Sequence, residues 1–86
     1  MNQAERRTII DRIYESLKEW GYRPIDQLIG YILTGDPTYI TNHSNTRQLA
    51  ADIDRYDLLQ DLLLAYLTTG EIVERSASQY PIWHNN

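Results

Sequence analysis

Apolar and polar residues alternate along this chain with the period of helices. Between Gln3 and Trp20, Ile9, Ile10, Ile13, Leu17 and Trp20 follow spacings of three and four, and Arg, Asp, Glu and Lys fill the gaps, which predicts an amphipathic helix. Gly21 stands where a left-handed cap ends such a helix. Pro24 suits the first turn of a second helix, and Ile25, Leu28, Ile29, Ile32 and Leu33 form an apolar stripe wide enough to be expected at the centre of the core. Gly30 interrupts the stripe at a cost of about 1 kcal/mol relative to Ala. It is either a point of close approach for another helix or a tolerated accident. Gly35-Asp36-Pro37 stops the helix and turns the chain.

The segment from Thr38 to Asn45 is polar and predicted to be irregular, with several of its hydroxyls exposed. A short helix is expected from Asn45 or Thr46, carrying Leu49, Ala50 and Ile53. A last helix is expected from Asp54, where Asp54 and Asp57 resemble a capping box. Leu58, Leu59, Leu62, Leu63, Tyr66 and Leu67 are its expected buried face, and Gly70 closes it. The pattern predicts an all-α fold, a small compact bundle of about four helices over residues 1–70. Residues 71–86, with Ile72, Val73 and Tyr80-Pro81-Ile82-Trp83, are expected to be partly ordered, or strapped onto the body or a neighbouring subunit.

With 86 residues, one such bundle buries only a little over about 60% of the surface its unfolded chain exposes. Small domains compensate with disulfides, metals or partner subunits. No cysteine and only 2 His leave self-association, and a homodimer is expected. The start of the chain has no apolar run of signal-peptide length, and no stretch of about 20 apolar residues could span a bilayer; a cytoplasmic location without membrane insertion is expected. The net charge of −4 repels phosphate backbones on average. Arg6, Arg7 and Arg12 cluster, but Glu5 and Asp11 lie beside them, so they are read as a solvated helix face.

Catalysis by a nucleophile needs a base that is itself oriented, and the histidines are His43, in the irregular segment, and His84. His43 adjoins Ser44 but is read as a surface histidine, because sequence neighbours rarely form a catalytic pair. Asp52, Asp54, Asp57 and Asp61 lack the alternation of a calcium loop, so capping is the better explanation. No phosphate-loop motif surrounds Gly30 or Gly35. The chain is therefore expected to be no enzyme and to hold no cofactor or metal. Seven Tyr and 2 Trp with no Phe combine apolar bodies with polar tips, which suits association surfaces. Tyr22, Tyr31, Tyr39, Tyr56 and Tyr66 are interface candidates, with ordinary core packing as the equal alternative.

The run Gly21-Tyr22-Arg23-Pro24-Ile25-Asp26-Gln27-Leu28-Ile29-Gly30-Tyr31-Ile32-Leu33-Thr34-Gly35-Asp36-Pro37-Thr38-Tyr39-Ile40 resembles, without a gap, the central segment of the IreB family of small bacterial regulatory phosphoproteins. Asn45-Thr46-Arg47 and the run from Arg55 to Leu63 resemble further elements of that family. The resemblance implies a helical homodimer in the cytoplasm of Gram-positive bacteria, phosphorylated on threonine by a membrane-anchored Ser/Thr kinase and acting in the cell-envelope stress response. It also implies that Tyr22, Pro24, Gln27, Gly30, Tyr31, Gly35, Asp36, Pro37 and Tyr39 shape core and interface instead of an active site. Family members carry their phosphoacceptor threonines on a longer N-terminal segment, whereas Thr8 is the candidate here, preceded by Arg6 and Arg7. The stretch from Glu71 is longer than the family's usual end. The rival function is a small helical DNA-binding or transcription-linked module, for which the helix after Asp54 is unsuitably acidic and leucine-rich.

Overall fold

The computed structural model of the chain describes residues 1–69. Four α-helices follow one another, α1 (Gln3–Glu19), α2 (Pro24–Thr34), α3 (Thr46–Ala51) and α4 (Arg55–Thr69), and there is no strand among the described residues. The expectations for residues 70–86, namely Gly70 closing α4 and the strapped tail, lie outside the described residues.

Both ends of α1 have a local cause. At the start of α1, Asn2 Oδ1 accepts from the Glu5 N–H while Glu5 Oε1 accepts from the Asn2 N–H, both at 2.8 Å. This reciprocal capping box satisfies two otherwise orphaned donors. Asn2→Ala should therefore lower the folding stability by about 1 kcal/mol, read as a shifted urea midpoint; an unchanged midpoint would show that the first turn frays. At the other end, the Tyr22 N–H donates to the Leu17 carbonyl and the Gly21 N–H to that of Lys18, with Gly21 at φ 82°. That pairing is the Schellman arrangement, and it explains the glycine.

The core is small. Ile13 and Leu17 of α1, Leu28 and Tyr31 of α2, Ala50 of α3 and the connecting residue Ile40 are buried together. Two single turns of 3-10 helix, Pro37–Tyr39 and His43–Asn45, replace the irregular segment expected there. Thr38 and Ser44 of that segment are exposed, as expected, and Thr41 is half-buried. Thr46 is 1% exposed, and its Oγ1 donates to the carbonyls of Thr41 and His43, while Ser16 Oγ and Thr41 Oγ1 lie 2.6 Å apart. These bonds let buried polar groups replace apolar ones between α1 and α3 without the penalty of an unpaired hydroxyl.

The expected burial of two stripes fails. In α2 only Leu28 and Tyr31 are buried, and Ile25, Ile29 and Leu33 are exposed. In α4 only Leu58 is buried, and Leu59, Leu62, Leu63, Tyr66 and Leu67 are exposed. The reason is geometric: an apolar arc this wide needs neighbours on two sides. α2 packs on α1 and on the 3-10 turn Pro37–Tyr39, and α4 meets α1 through Arg6 and Asp61; among the described residues neither has a further neighbour that covers its outer face.

Candidate functional site

The corner after α2 accounts for most of the motif residues. Pro24 is the first residue of α2. Gln27 Nε2 donates to the Tyr39 carbonyl at 3.0 Å, fixing the 3-10 turn against the helix. Gly30 faces the Tyr39 ring so closely that an added Cβ would sit 2.4 Å from it. Here the close approach is by an aromatic side chain, not by another helix. Gly35 ends α2 at φ 74°, and Arg55 Nη1 donates to the Ile32 carbonyl at 2.8 Å. Asp36 accepts from both the N–H and the hydroxyl of Thr38, and Pro37 opens the turn. The Thr38 N–H foremost, then its hydroxyl, holds the Asp36 carboxyl below its ordinary pKa.

Tyr31 is buried and donates its hydroxyl to the Ala50 carbonyl at 3.1 Å. Its role is in the core, so it leaves the group of interface candidates. Tyr39 is half-buried against the core, whereas Tyr22, Tyr56 and Tyr66 are exposed. His43 is exposed, with its ring 5.2 Å from that of Trp20.

Arg6 is not part of a solvated face. Its Nε and Nη2 hold the two oxygens of Asp61 at 2.5 and 2.9 Å, with both side chains largely covered, and its Nη1 donates to the Met1 carbonyl. The charge pairs α1 with α4, because a guanidinium fork matches a carboxylate edge. Arg7, by contrast, is exposed and 3.9 Å from Asp11. The hydrogen bond from Arg6 lowers the Asp61 pKa against the opposing effect of burial. A carboxylate lowered in this way adds stability above its unfolded pKa, near 4, which is lost as pH falls through the folded value. The urea midpoint of the wild type should thus fall more steeply than that of Asp61→Asn between about pH 5 and pH 3. Equal slopes would remove the pair from the account.

Three surfaces remain as candidate sites. A groove between α1 and α4, of about 240 Å³, has Ile10, Leu58, Leu62 and Ala65 along it with Arg7 and Asp61 at its edge. On the adjoining side of α4, Leu59, Leu63, Tyr66 and Leu67 project away from the body, with Leu63 59% and Leu67 71% exposed. Ile25, Ile29 and Leu33 form a matching stripe on α2, Leu33 being 76% exposed. Arg55 joins the start of α4 to the last turn of α2. Nothing in the spacing of the sequence separates these outward residues from inward ones, and only the third dimension does. Thr8, the phosphoacceptor candidate, is exposed on α1, with its hydroxyl donating to the Ala4 carbonyl at 3.1 Å.

Among the described residues no group of three His, Cys, Asp or Glu side chains could hold a metal ion, and no helix is long and apolar enough to cross a membrane. The chain matches the family model described as IreB regulatory phosphoprotein over residues 1–68. A UPF0297 protein of Acetivibrio thermocellus is 49% identical over 63 residues, covering 73% of this chain and 70% of that protein. Another, from Ruminiclostridium cellulolyticum, is 48% identical over 65 residues, covering 76% and 74%.

Proposed function

The chain belongs to the IreB regulatory phosphoprotein family, and from that premise we propose that it is a non-catalytic cytoplasmic regulator that pairs with a second copy of itself and is phosphorylated by a Ser/Thr kinase in cell-envelope stress signalling. The observation that carries the pairing is the uncovered apolar surface: the stripes of α2 and α4 leave seven large apolar side chains exposed, against eight buried hydrophobic residues among the described residues. Single exposed apolar residues are ordinary, but contiguous ones mark association surfaces. Helix stripes of this kind are covered by a partner helix at native packing density.

Phosphate acts here through charge. Added to Thr8 it brings a charge of about −1.5 to −2 onto α1, one turn before Arg12 and next to Arg7, both on a helix that already carries Glu5, Asp11 and Glu15. It thereby changes the electrostatics of the surface that α1 offers to partners. Thr8 sits in a formed helix, so a kinase, which takes its substrate extended, reaches it through fraying of the first turns. Radiolabelled phosphate from a cognate kinase is expected on the purified chain and is expected to be lost in Thr8→Ala. Labelling that persists in Thr8→Ala moves the site to another threonine, and no labelling under conditions that modify another family member contradicts the kinase reading.

A further inference from the structure

We propose that the cavity between the end of α1, the two 3-10 turns and the start of α3 binds a free adenine mononucleotide, with the base stacked on Trp20 and the phosphate held by Arg47. The cavity measures about 370 Å³, and its walls include Trp20, Tyr22, Asn42, His43 and Arg47. Ligand pockets run from about 300 to 1,000 Å³, so this one suits a single nucleotide. None of its lining residues belongs to the outward stripes of α2 and α4, and Thr8 is not among them. The site is therefore independent of self-association and of the kinase reading.

The aromatic wall selects a flat ligand. Trp20 caps the C-terminus of α1 just before Gly21 turns the chain, and it is 58% exposed. The His43 ring lies 5.2 Å from it at an interplanar angle of 58°, so the imidazole does not cover the indole by stacking. Tyr22, also exposed, adds a second ring. A nucleobase has a flat face for an aromatic side chain and a polar edge for hydrogen bonds.

Arg47 selects an anion. Its Nε donates to the Ile40 carbonyl at 2.7 Å, which fixes the guanidinium, while Nη1 and Nη2 make no hydrogen bond among the described residues. A guanidinium fork matches two phosphate oxygens at once. Among the described residues no carboxylate lines the cavity. Asp36 feels the charge of Arg47, but its Oδ1 is taken by the N–H and hydroxyl of Thr38, and the two form no ion pair among the described residues. With one cation in the cavity and a net charge of −4 on the chain, a longer polyanion is repelled. That favours a free mononucleotide over one residue of a nucleic-acid strand.

Asn42 selects the base. It precedes the second 3-10 turn without capping it through its side chain, which leaves the amide available as a paired donor and acceptor. Such an amide matches the N6 and N7 edge of adenine.

The test titrates AMP into the intact chain carrying Trp83→Phe, which leaves Trp20 as the single tryptophan. Saturable quenching of the indole is expected, together with shifts of the Trp20 Nε1–H and Arg47 Nε–H NMR signals. AMP should bind at least about tenfold more tightly than adenosine or UMP, a comparison that needs no variant in the cavity. Trp20→Leu, at an exposed position, should weaken AMP by about tenfold, read at Arg47. Arg47→Lys keeps the charge and loses the fork; it should weaken AMP by a similar factor and leave adenosine unchanged. No saturable change up to about 10 mM AMP overturns the proposal. So does adenosine or UMP binding as tightly as AMP, inorganic phosphate shifting Arg47 at the same concentration as AMP, or an oligoadenylate binding more tightly than AMP, which would make the ligand a strand.

Discussion

Gly30→Ala is expected to destabilise the fold by about 1–3 kcal/mol, although alanine is the better helix former by about 1 kcal/mol. The methyl group would stand 2.4 to 2.7 Å from three atoms of the Tyr39 ring. The ring cannot simply step aside, because the Tyr39 carbonyl is held by Gln27 and the ring packs against the core. The sign of the effect depends on the neighbour, which makes the prediction sharp. In a Tyr39→Ala background the clash is gone and Gly30→Ala should become stabilising by up to about 1 kcal/mol. Chemical denaturation of the four proteins measures both values. A Gly30→Ala penalty that persists without the Tyr39 ring would show that the glycine serves something else.

Leu63→Asp is expected to weaken self-association by at least about 100-fold, or roughly 3 kcal/mol, while leaving the helical content of the chain unchanged. Leu63 lies in the middle of the outward stripe of α4 and is 59% exposed in the single chain. A carboxylate there costs little until a second copy tries to cover it, when it would be desolvated without a partner. The substitution therefore separates an interface residue from a core residue: Leu17→Ala, in a fully buried position, should cost about 2–5 kcal/mol of folding stability instead. Lys18→Glu, exposed on α1, serves as the control and should leave the mass unchanged. Loss of helicity in Leu63→Asp would place Leu63 in the fold instead of the interface.

The helices were readable because their punctuation is local. Pro24, Gly21, Gly35 and Asp54 each act within one turn, and the structure uses them where the sequence puts them, with the Asp54 carboxylate accepting from the Tyr56 N–H at 2.8 Å. The box formed by Asn2 and Glu5 has the same three-residue spacing, but it was missed in the sequence, where only Asp54 and Asp57 were read as such a pair. Burial was not readable, because a period of 3.6 tells which residues share a face and never what covers it. The stripe of α2 looked central and is half outside; Arg6 looked solvated and is clamped to Asp61, 55 residues away. Tyr31 could not be told from Tyr66 by composition, yet one is in the core and the other on the surface. Ser16, buried beside Thr41, gave no apolar signal at all. The family resemblance at residues 21–40 reached further than the periodicity, since the Gly30, Gly35 and Asp36 contacts that give those residues their purpose are made across the corner, between α2, Tyr39, Thr38 and Arg55.

The most direct test of self-association through α2 and α4 is the solution mass of the intact chain, by light scattering across a wide concentration range. A mass near twice 10.1 kDa, dissociating only on dilution, is the predicted result. A folded species of 10.1 kDa at every concentration would contradict the account, because the exposed stripes of α2 and α4 would then have no second copy to cover them.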